Sequence, residues 1–469
     1  WDDRDRPGGW SEYAGFETGF MGEPWGAEWI TGSSFWSVMA PPTRFRREFS
    51  LPARPLRARL YATALGVYLP TVNGRTITEN CMMPGYTAYT TRIQYQAYDI
   101  TPYLAAGANA LGVEVADGWY KGAIARLWNS GLPPYGDRTA LLAQIEVECA
   151  DGSCVTVVSD SSWHYSDLGP RRASDIYHGE IYDRRLEQPG WDAAGYDGPG
   201  WFPVRMAEYR GRIDWNSGLP VRRIEIRKPE AVTQPRPGCW VVDFGQNIVG
   251  RERLRIAAPK DAEIVVRHGE MLQEDGSLYT ENLRSATATT TFLSNGEPTV
   301  FEAEFTFYGF RYAEITGWPG TFDPADIEAV VLHSAMARTG YFECSDPLLN
   351  QLYSNVIWGN RDNYLDIPTD CPQRDERQGW TGDAQVFIRT AAYNYDVAPF
   401  FVKWIEDLNL CLLPNGDYPP YAPYSPNTWG TAKGAAGWAD AGIICPWTIY
   451  LFYGDTRILE RHYDTMLAF

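Results

Sequence analysis

The stretch SDPLLNQLYSNVI, residues 345–357, decides how the chain divides. Leu348, Leu349, Leu352, Val356 and Ile357 recur at helical spacing, Ser345 is placed to cap the N-terminus, and Pro347 sits in the first turn. Upstream, to about residue 335, apolar runs are short and bounded by Gly, Pro, Asn and Asp: Leu60 to Leu69, Leu111 to Val115, Leu141 to Glu148, Ile264 to Arg267. That spacing predicts β-sandwiches, and the Pro-containing stretch from Leu219 to Pro237 predicts a boundary between two of them. Downstream, helical patterns follow at Asp383 to Tyr393, Val397 to Leu413, Ala439 to Tyr453 and Thr456 to Leu467, roughly five helices in all. Such a set closes no regular toroid, and with no polar stop or Gly cap before Phe469 the chain is expected to be cut short. The reading is multidomain β + α, with β-sandwiches over 1–218 and 219–340 and a helical part over 341–469.

Composition narrows the function. The net charge of −18 repels phosphate backbones and anionic lipid, which excludes nucleic acid as a partner. The most apolar stretch, Ala441 to Tyr453, is too short to span a bilayer and contains Pro446, which excludes a membrane protein. The 19 Trp and 29 Tyr supply flat faces for stacking sugar C–H groups, although most such rings serve as ordinary core residues. The eight cysteines form no CxxC pair; Cys149 and Cys154 alone are close enough to suggest a local bridge across a hairpin, and the set reads as mostly reduced thiols in a cytoplasmic setting. The chain begins at Trp1 without a signal peptide, so a targeting segment upstream stays open.

The densest chemistry lies in IPTDCPQRDERQGWTGD, residues 367–383. Pro368, Pro372 and Gly379 make it a loop, which can aim Asp370, Asp375, Glu376 and Asp383, with Arg374 and Arg377, into one cavity. Glycoside hydrolysis needs a carboxylic acid that keeps its proton and a second carboxylate that activates water or attacks the sugar. Glu376 is the candidate acid: it reaches further than Asp375, and the charges of Asp375 and Asp383 are expected to hold its proton. Arg374 would orient hydroxyls or compensate Asp370, and Trp380 would offer a stacking face. The alternative is a solvated loop of surface ion pairs. None of the five histidines falls in this loop, which disfavours a metal. A second cluster, GWADA at residues 437–441, follows an aromatic loop containing Trp429; Trp438 and Asp440 serve either a pocket or the helix N-terminus.

Nearly every residue from Asp370 to Asp383 resembles the pattern of bacterial α-L-rhamnosidases of glycoside hydrolase family 78, and the likeness extends over almost the whole chain. LYATA at 60–64, VNG at 72–74, GWYKG at 118–122 and GEIYD at 179–183 look like the family's N-terminal sandwich. DFGQNIVG at 243–250, RHGE at 267–270, YTEN at 279–282 and FYGFRY at 307–312 look like its concanavalin-like sandwich, and from about residue 341 the chain is similar to its (α/α)6 barrel. The resemblance implies Glu376 as general acid, with Asp370, Arg374, Asp375, Trp380 and Asp383 lining a rhamnose pocket, Trp438 as a further wall and Asp440 beside it. It also implies inversion, rhamnose-containing glycosides or polysaccharides as partners, and a Glu base later in the barrel, beyond the end of this chain. The isolated chain is then expected to hydrolyse little; activity in it would point to Asp383 or Asp440 as base. No cofactor is implied. Calcium in the N-terminal sandwich stays open, since Asp117, Asn129 and Asp137 form no recognisable ligand spacing. Competing readings are a carbohydrate-binding fragment and an (α/α)6 glycosidase of different sugar specificity.

Overall fold

The computed structural model describes residues 4–10, 12–13, 15–32, 39–124, 133–425 and 434–469. Two antiparallel-rich sheets, one of seven strands and one of six, form the N-terminal sandwich. Pro55–Leu65 lies in the first, between Arg92–Asp99 and Ala140–Cys149; Thr43–Leu51 and Gly107–Ala116 pair in the second. Alternate residues of both sheets, among them Phe45, Leu60, Ala62, Val113, Leu141 and Ile145, fill the space between them.

The apolar run from Leu60 to Leu69, expected as one strand, is two. Gly66 breaks it: φ is +136°, and a Cβ there would stand 2.3 Å from the Ala116 carbonyl oxygen. The chain thus passes from one sheet to the other at the residue that tolerates the corner.

An eleven-stranded assembly follows, organised around the long strand Cys239–Ile256, which pairs with Tyr308–Thr316, Ile327–Ser334, Ala231–Arg236 and Thr299–Glu302. It also takes in strands from far upstream. Gly179–Asp183 runs parallel to Thr289–Leu293 with Arg171–Asp175 outside it, and Asn80–Cys81 pairs with Val221–Arg227. Alternation predicts that these segments are strands but carries no information on which sheet they join.

Among the described residues the C-terminal part holds the helices Pro347–Asn363, Thr381–Asn394, Ala398–Leu410, Ala441–Tyr453 and Arg457–Ala468. The first is capped by Asp346, not by Ser345: the Asp346 carboxylate accepts from the Leu348 N–H at 2.8 Å, with Pro347 at the first helical position. Of its expected apolar face only Ile357 is buried, while Leu348, Leu349 and Leu352 are exposed. Phe400, Phe401, Trp404 and Leu408 are buried, and Tyr364 stacks on Phe400 at 4.7 Å. No helix among the described residues is long and apolar enough to cross a membrane.

A buried charge network joins the N-terminal sandwich to the helices. Arg92 on the sheet meets Asp407 at 2.7 Å; Lys403 reaches Asp407 at 3.5 Å and Asp366 at 2.9 Å; the Asp366 carboxylate also accepts from the Tyr86 N–H. All eight cysteines are free thiols, and the bridge that the spacing of Cys149 and Cys154 left open is not formed. Cys154 lies opposite Glu148 in the ladder, Cys149 is buried, and Cys154 is exposed.

Candidate active site

The acidic loop joins the helices Pro347–Asn363 and Thr381–Asn394 through a short hairpin of Tyr364–Leu365 and Ile367–Pro368. Residues 369–379 have no regular structure, so their shape comes from what they dock against. Within the loop, the Asp370 N–H donates to the Gln378 carbonyl and the Gln378 N–H donates back to Asp370 Oδ1, both at 3.0 Å. Outside it, the anchor is Arg377. Its backbone takes a left-handed conformation, φ 51°, and its guanidinium is fully buried. Nη1 donates to the carbonyls of Ile176 (2.6 Å) and Phe307 (2.7 Å), Nη2 to that of Gln373 (3.1 Å), and Nε to that of Arg374 (3.2 Å). The rings of Tyr177 and Phe307 lie beside it. Arg377 therefore does not enter the cavity as expected; it points the other way, where carbonyls and ring faces satisfy a buried cation.

The carboxylates are held by residues of the second β-assembly. Glu376 Oε2 stands between Arg374 Nε at 2.9 Å and Arg284 Nη2 at 2.8 Å, and its backbone carbonyl accepts from the Tyr177 hydroxyl at 2.6 Å. Asp375 is buried against Arg284 Nε at 2.5 Å and accepts from the N–H and hydroxyl of Ser285. Arg374 Nη2 also reaches Asp370 Oδ2 at 3.6 Å. Gln373 donates to Glu270 at 2.8 Å, a contact that Gly309 permits: a Cβ there would meet Pro372 and Gln373 within 3.0 Å.

Beside this network lies a cleft of about 550 Å³ whose walls include Asp370, Asp383, Tyr364, Phe387 and Trp438. Asp383 is exposed in the first turn of its helix. Trp438, 42% exposed, lies across Gly382, where a Cβ would come within 2.9 Å of the indole nitrogen. The structure thus brings Asp370, Asp383 and Trp438 to one cleft, with Glu376 and Arg374 joined to it through Asp370. Asp375, Trp380 and Asp440 are outside the lining. Asp375 is taken up by Arg284 and Ser285, Trp380 packs edge-on against Tyr421 at 5.4 Å, and Asp440 accepts from the Gly437 N–H at 3.0 Å where its helix begins. Trp429 and Asn129 lie outside the described residues.

Electrostatics distinguish the carboxyls. Burial pushes Asp370 up to about 6, and the charge of Glu376 adds to the rise. The same two causes raise Asp383. The crowding expected around Glu376 falls on Asp370 instead, because guanidiniums rather than Asp375 and Asp383 contact Glu376. Among the described residues, Asp370, Cys371 and Glu376 form the one group of potential metal ligands, their donor atoms within 4.8 Å of one another. The chemistry suits a metal poorly: burial holds the Cys371 thiol at about 12, and two guanidiniums already supply the positive charge. In the N-terminal sandwich, Asp117 pairs with Lys121 at 2.8 Å.

Three sequence models match consecutive parts of the chain: the α-L-rhamnosidase N-terminal domain at 53–225, the bacterial α-L-rhamnosidase concanavalin-like domain at 233–333, and the bacterial α-L-rhamnosidase six-hairpin glycosidase domain at 337–469. The chain belongs to the bacterial α-L-rhamnosidase family. An α-L-rhamnosidase of Streptomyces avermitilis is 42% identical over 465 residues, which are 97% of this chain and 44% of that protein. A crystal structure of the S. avermitilis α-L-rhamnosidase complexed with L-rhamnose superimposes with a TM-score of 0.88 at 42% identity, covering 92% of this chain and 42% of the other. Native α-L-rhamnosidase from Aspergillus terreus gives a TM-score of 0.90 at 39% identity, covering 94% and 52%. The chain spans about half the length of the α-L-rhamnosidases it matches.

In this family member the residues that sequence reasoning missed come from the second β-assembly. Arg284, φ 57°, and Ser285 hold Asp375 and Glu376 from about ninety positions away; Glu270 and Tyr177 hold the loop backbone and Gln373. Glu270 lies in the family-like RHGE segment and Arg284 and Ser285 just beyond YTEN, but no local pattern pairs them with the loop.

Proposed function

We propose that this chain carries the acid side of an inverting α-L-rhamnosidase, acting on terminal rhamnose with Glu376 as general acid. The supporting observation is the convergence of Glu376 and Asp370 beside a cleft walled by Trp438 and Asp383. Trp438 stacks on the apolar face of the deoxysugar, and Asp370 and Asp383 hydrogen-bond its hydroxyls. Arg374 and Arg284 position the Glu376 carboxyl, which passes a proton to the leaving oxygen. Inversion needs a water-activating carboxylate roughly 6.5–9.5 Å from the acid. Asp370, with an oxygen within 4.8 Å of Glu376, is too near for that role.

The test is leaving-group dependence of Glu376→Gln in a protein of its relatives' full length, since the 469-residue chain alone is expected to hydrolyse little. A proton donor matters most for a poor leaving group, so hydrolysis of an alkyl α-L-rhamnoside should fall by about 10³-fold or more, and p-nitrophenyl α-L-rhamnoside by much less. Equal losses on both would make Glu376 a positioning group only. The first-formed anomer, followed by proton NMR, tests inversion; a retained configuration would turn attention to Asp370 as nucleophile. Faster release of another sugar from a panel of p-nitrophenyl glycosides would refute the rhamnose assignment.

A further inference from the structure

A larger cleft, about 950 Å³, lies on the outer face of the seven-stranded sheet, away from the acidic loop. Its floor is aromatic. Tyr61 on Pro55–Leu65 and Tyr95 on Arg92–Asp99 lie 6.3 Å apart, and Trp215 on the edge strand Arg212–Trp215 meets Tyr95 edge-on at 5.7 Å. Ala97 stands directly opposite Tyr61 in the ladder, and its small side chain leaves a hollow beside the ring. Phe20 packs over Tyr61 at 4.7 Å, and its N–H donates to the Tyr95 hydroxyl at 3.1 Å, so the segment carrying Phe20 forms one wall. Trp215 is 54% exposed, a large apolar ring facing the opening.

The rim is polar in both senses. Arg59 is paired with Glu17 and Asp99, and Arg212 with Asp214 and with Glu406 of the helix Ala398–Leu410. Carboxylates and guanidiniums around the exposed Trp215 ring and the half-buried Tyr61 offer acceptors and donors at the edge of a stacking surface, which is what a sugar's hydroxyls and C–H face require. The charge chooses among sugars: the cleft is lined by the carboxylates of Glu17, Glu23, Asp99 and Asp214 against the guanidiniums of Arg59 and Arg212. A net negative rim repels uronates, phosphates and sulfates.

We propose that this cleft is a second carbohydrate site, taking neutral sugar rings of a glycan and distinct from the cleft at Asp370 and Asp383. It does not depend on the proposed rhamnoside chemistry. Binding here would hold a glycan on the sandwich while the helical part works on it.

The test is affinity electrophoresis of the 469-residue chain through gels containing galactomannan, arabinogalactan or polygalacturonate. At least one neutral polymer should retard the chain and polygalacturonate should not. Trp215→Ala, exposed on an edge strand and so safe for folding, and Tyr61→Ala should each weaken retardation by about tenfold in Kd, while Trp438→Ala leaves it unchanged. The proposal is overturned if no neutral polymer retards the chain, if only polygalacturonate does, if retardation survives both Trp215→Ala and Tyr61→Ala, or if Trp438→Ala abolishes it.

Discussion

Replacing Arg377 by Met roughly keeps the volume and removes all the donors by which this side chain docks the acidic loop. The carbonyls of Ile176 and Phe307, bonded at 2.6 and 2.7 Å in the wild type, would then face an apolar side chain. Each stranded buried carbonyl costs about 1–3 kcal/mol. Against that stands the relief of desolvating a guanidinium, the first cause of the lowered Arg377 pKa. A net cost near 3 kcal/mol is expected, about a hundredfold shift towards an undocked loop. Native-state hydrogen exchange reads this directly, because the Gln378 amide is protected by Asp370 only while the loop holds its shape. Its exchange should quicken by about a hundredfold in Arg377→Met, with rhamnose affinity falling in parallel. Exchange within about threefold of wild type would refute the reasoning and leave the loop docked by other contacts.

Asp370 should make stability fall with rising pH. Its folded value, about 6, exceeds the ordinary 3.8, so the contribution is fully present below the ordinary value and lost as pH rises through the folded one. Asp370→Asn should therefore unfold at higher urea than wild type at pH 8, by about 3 kcal/mol, and converge with it below pH 4; a pH-independent difference would contradict this. Trp438→Ala should weaken rhamnose binding about tenfold by calorimetry with little change in melting temperature, since the ring is substantially exposed. Asp407→Ala strands the buried cation Arg92 and leaves Lys403 with Asp366 alone, and should cost about 3–5 kcal/mol in chemical denaturation; a loss under about 1 kcal/mol would show that the network is not a structural joint.

The sequence made legible whatever is encoded locally. Helical spacing located the helices to within a few residues, and the Pro and Gly spacing of 367–383 marked a loop rich in carboxylates. The cap fell one residue away because Ser and Asp adjoin at 345–346 and either can bond the first turn. The direction of Arg377 was hidden, since a guanidinium beside acids reads as an ion pair until Ile176 and Phe307 are seen underneath it. The same holds for the displaced electrostatics: Arg284 meets Glu376 from a turn about ninety residues upstream, and burial, which no spacing reports, singles out Asp370.

The borrowed strands of the eleven-stranded assembly have a consequence in time. Gly179–Asp183 leaves the ribosome about a hundred residues ahead of Thr289–Leu293, the strand it must lie beside. At roughly 5–20 residues per second that is a wait of about 5–20 s. Throughout it, Arg171 and Glu180, ion-paired and buried in the finished protein, have no sheet to enter. The pair Arg171–Asp175 and Gly179–Asp183 must be born with a loose edge, and the tempo of synthesis downstream decides how long that edge stays open to strangers.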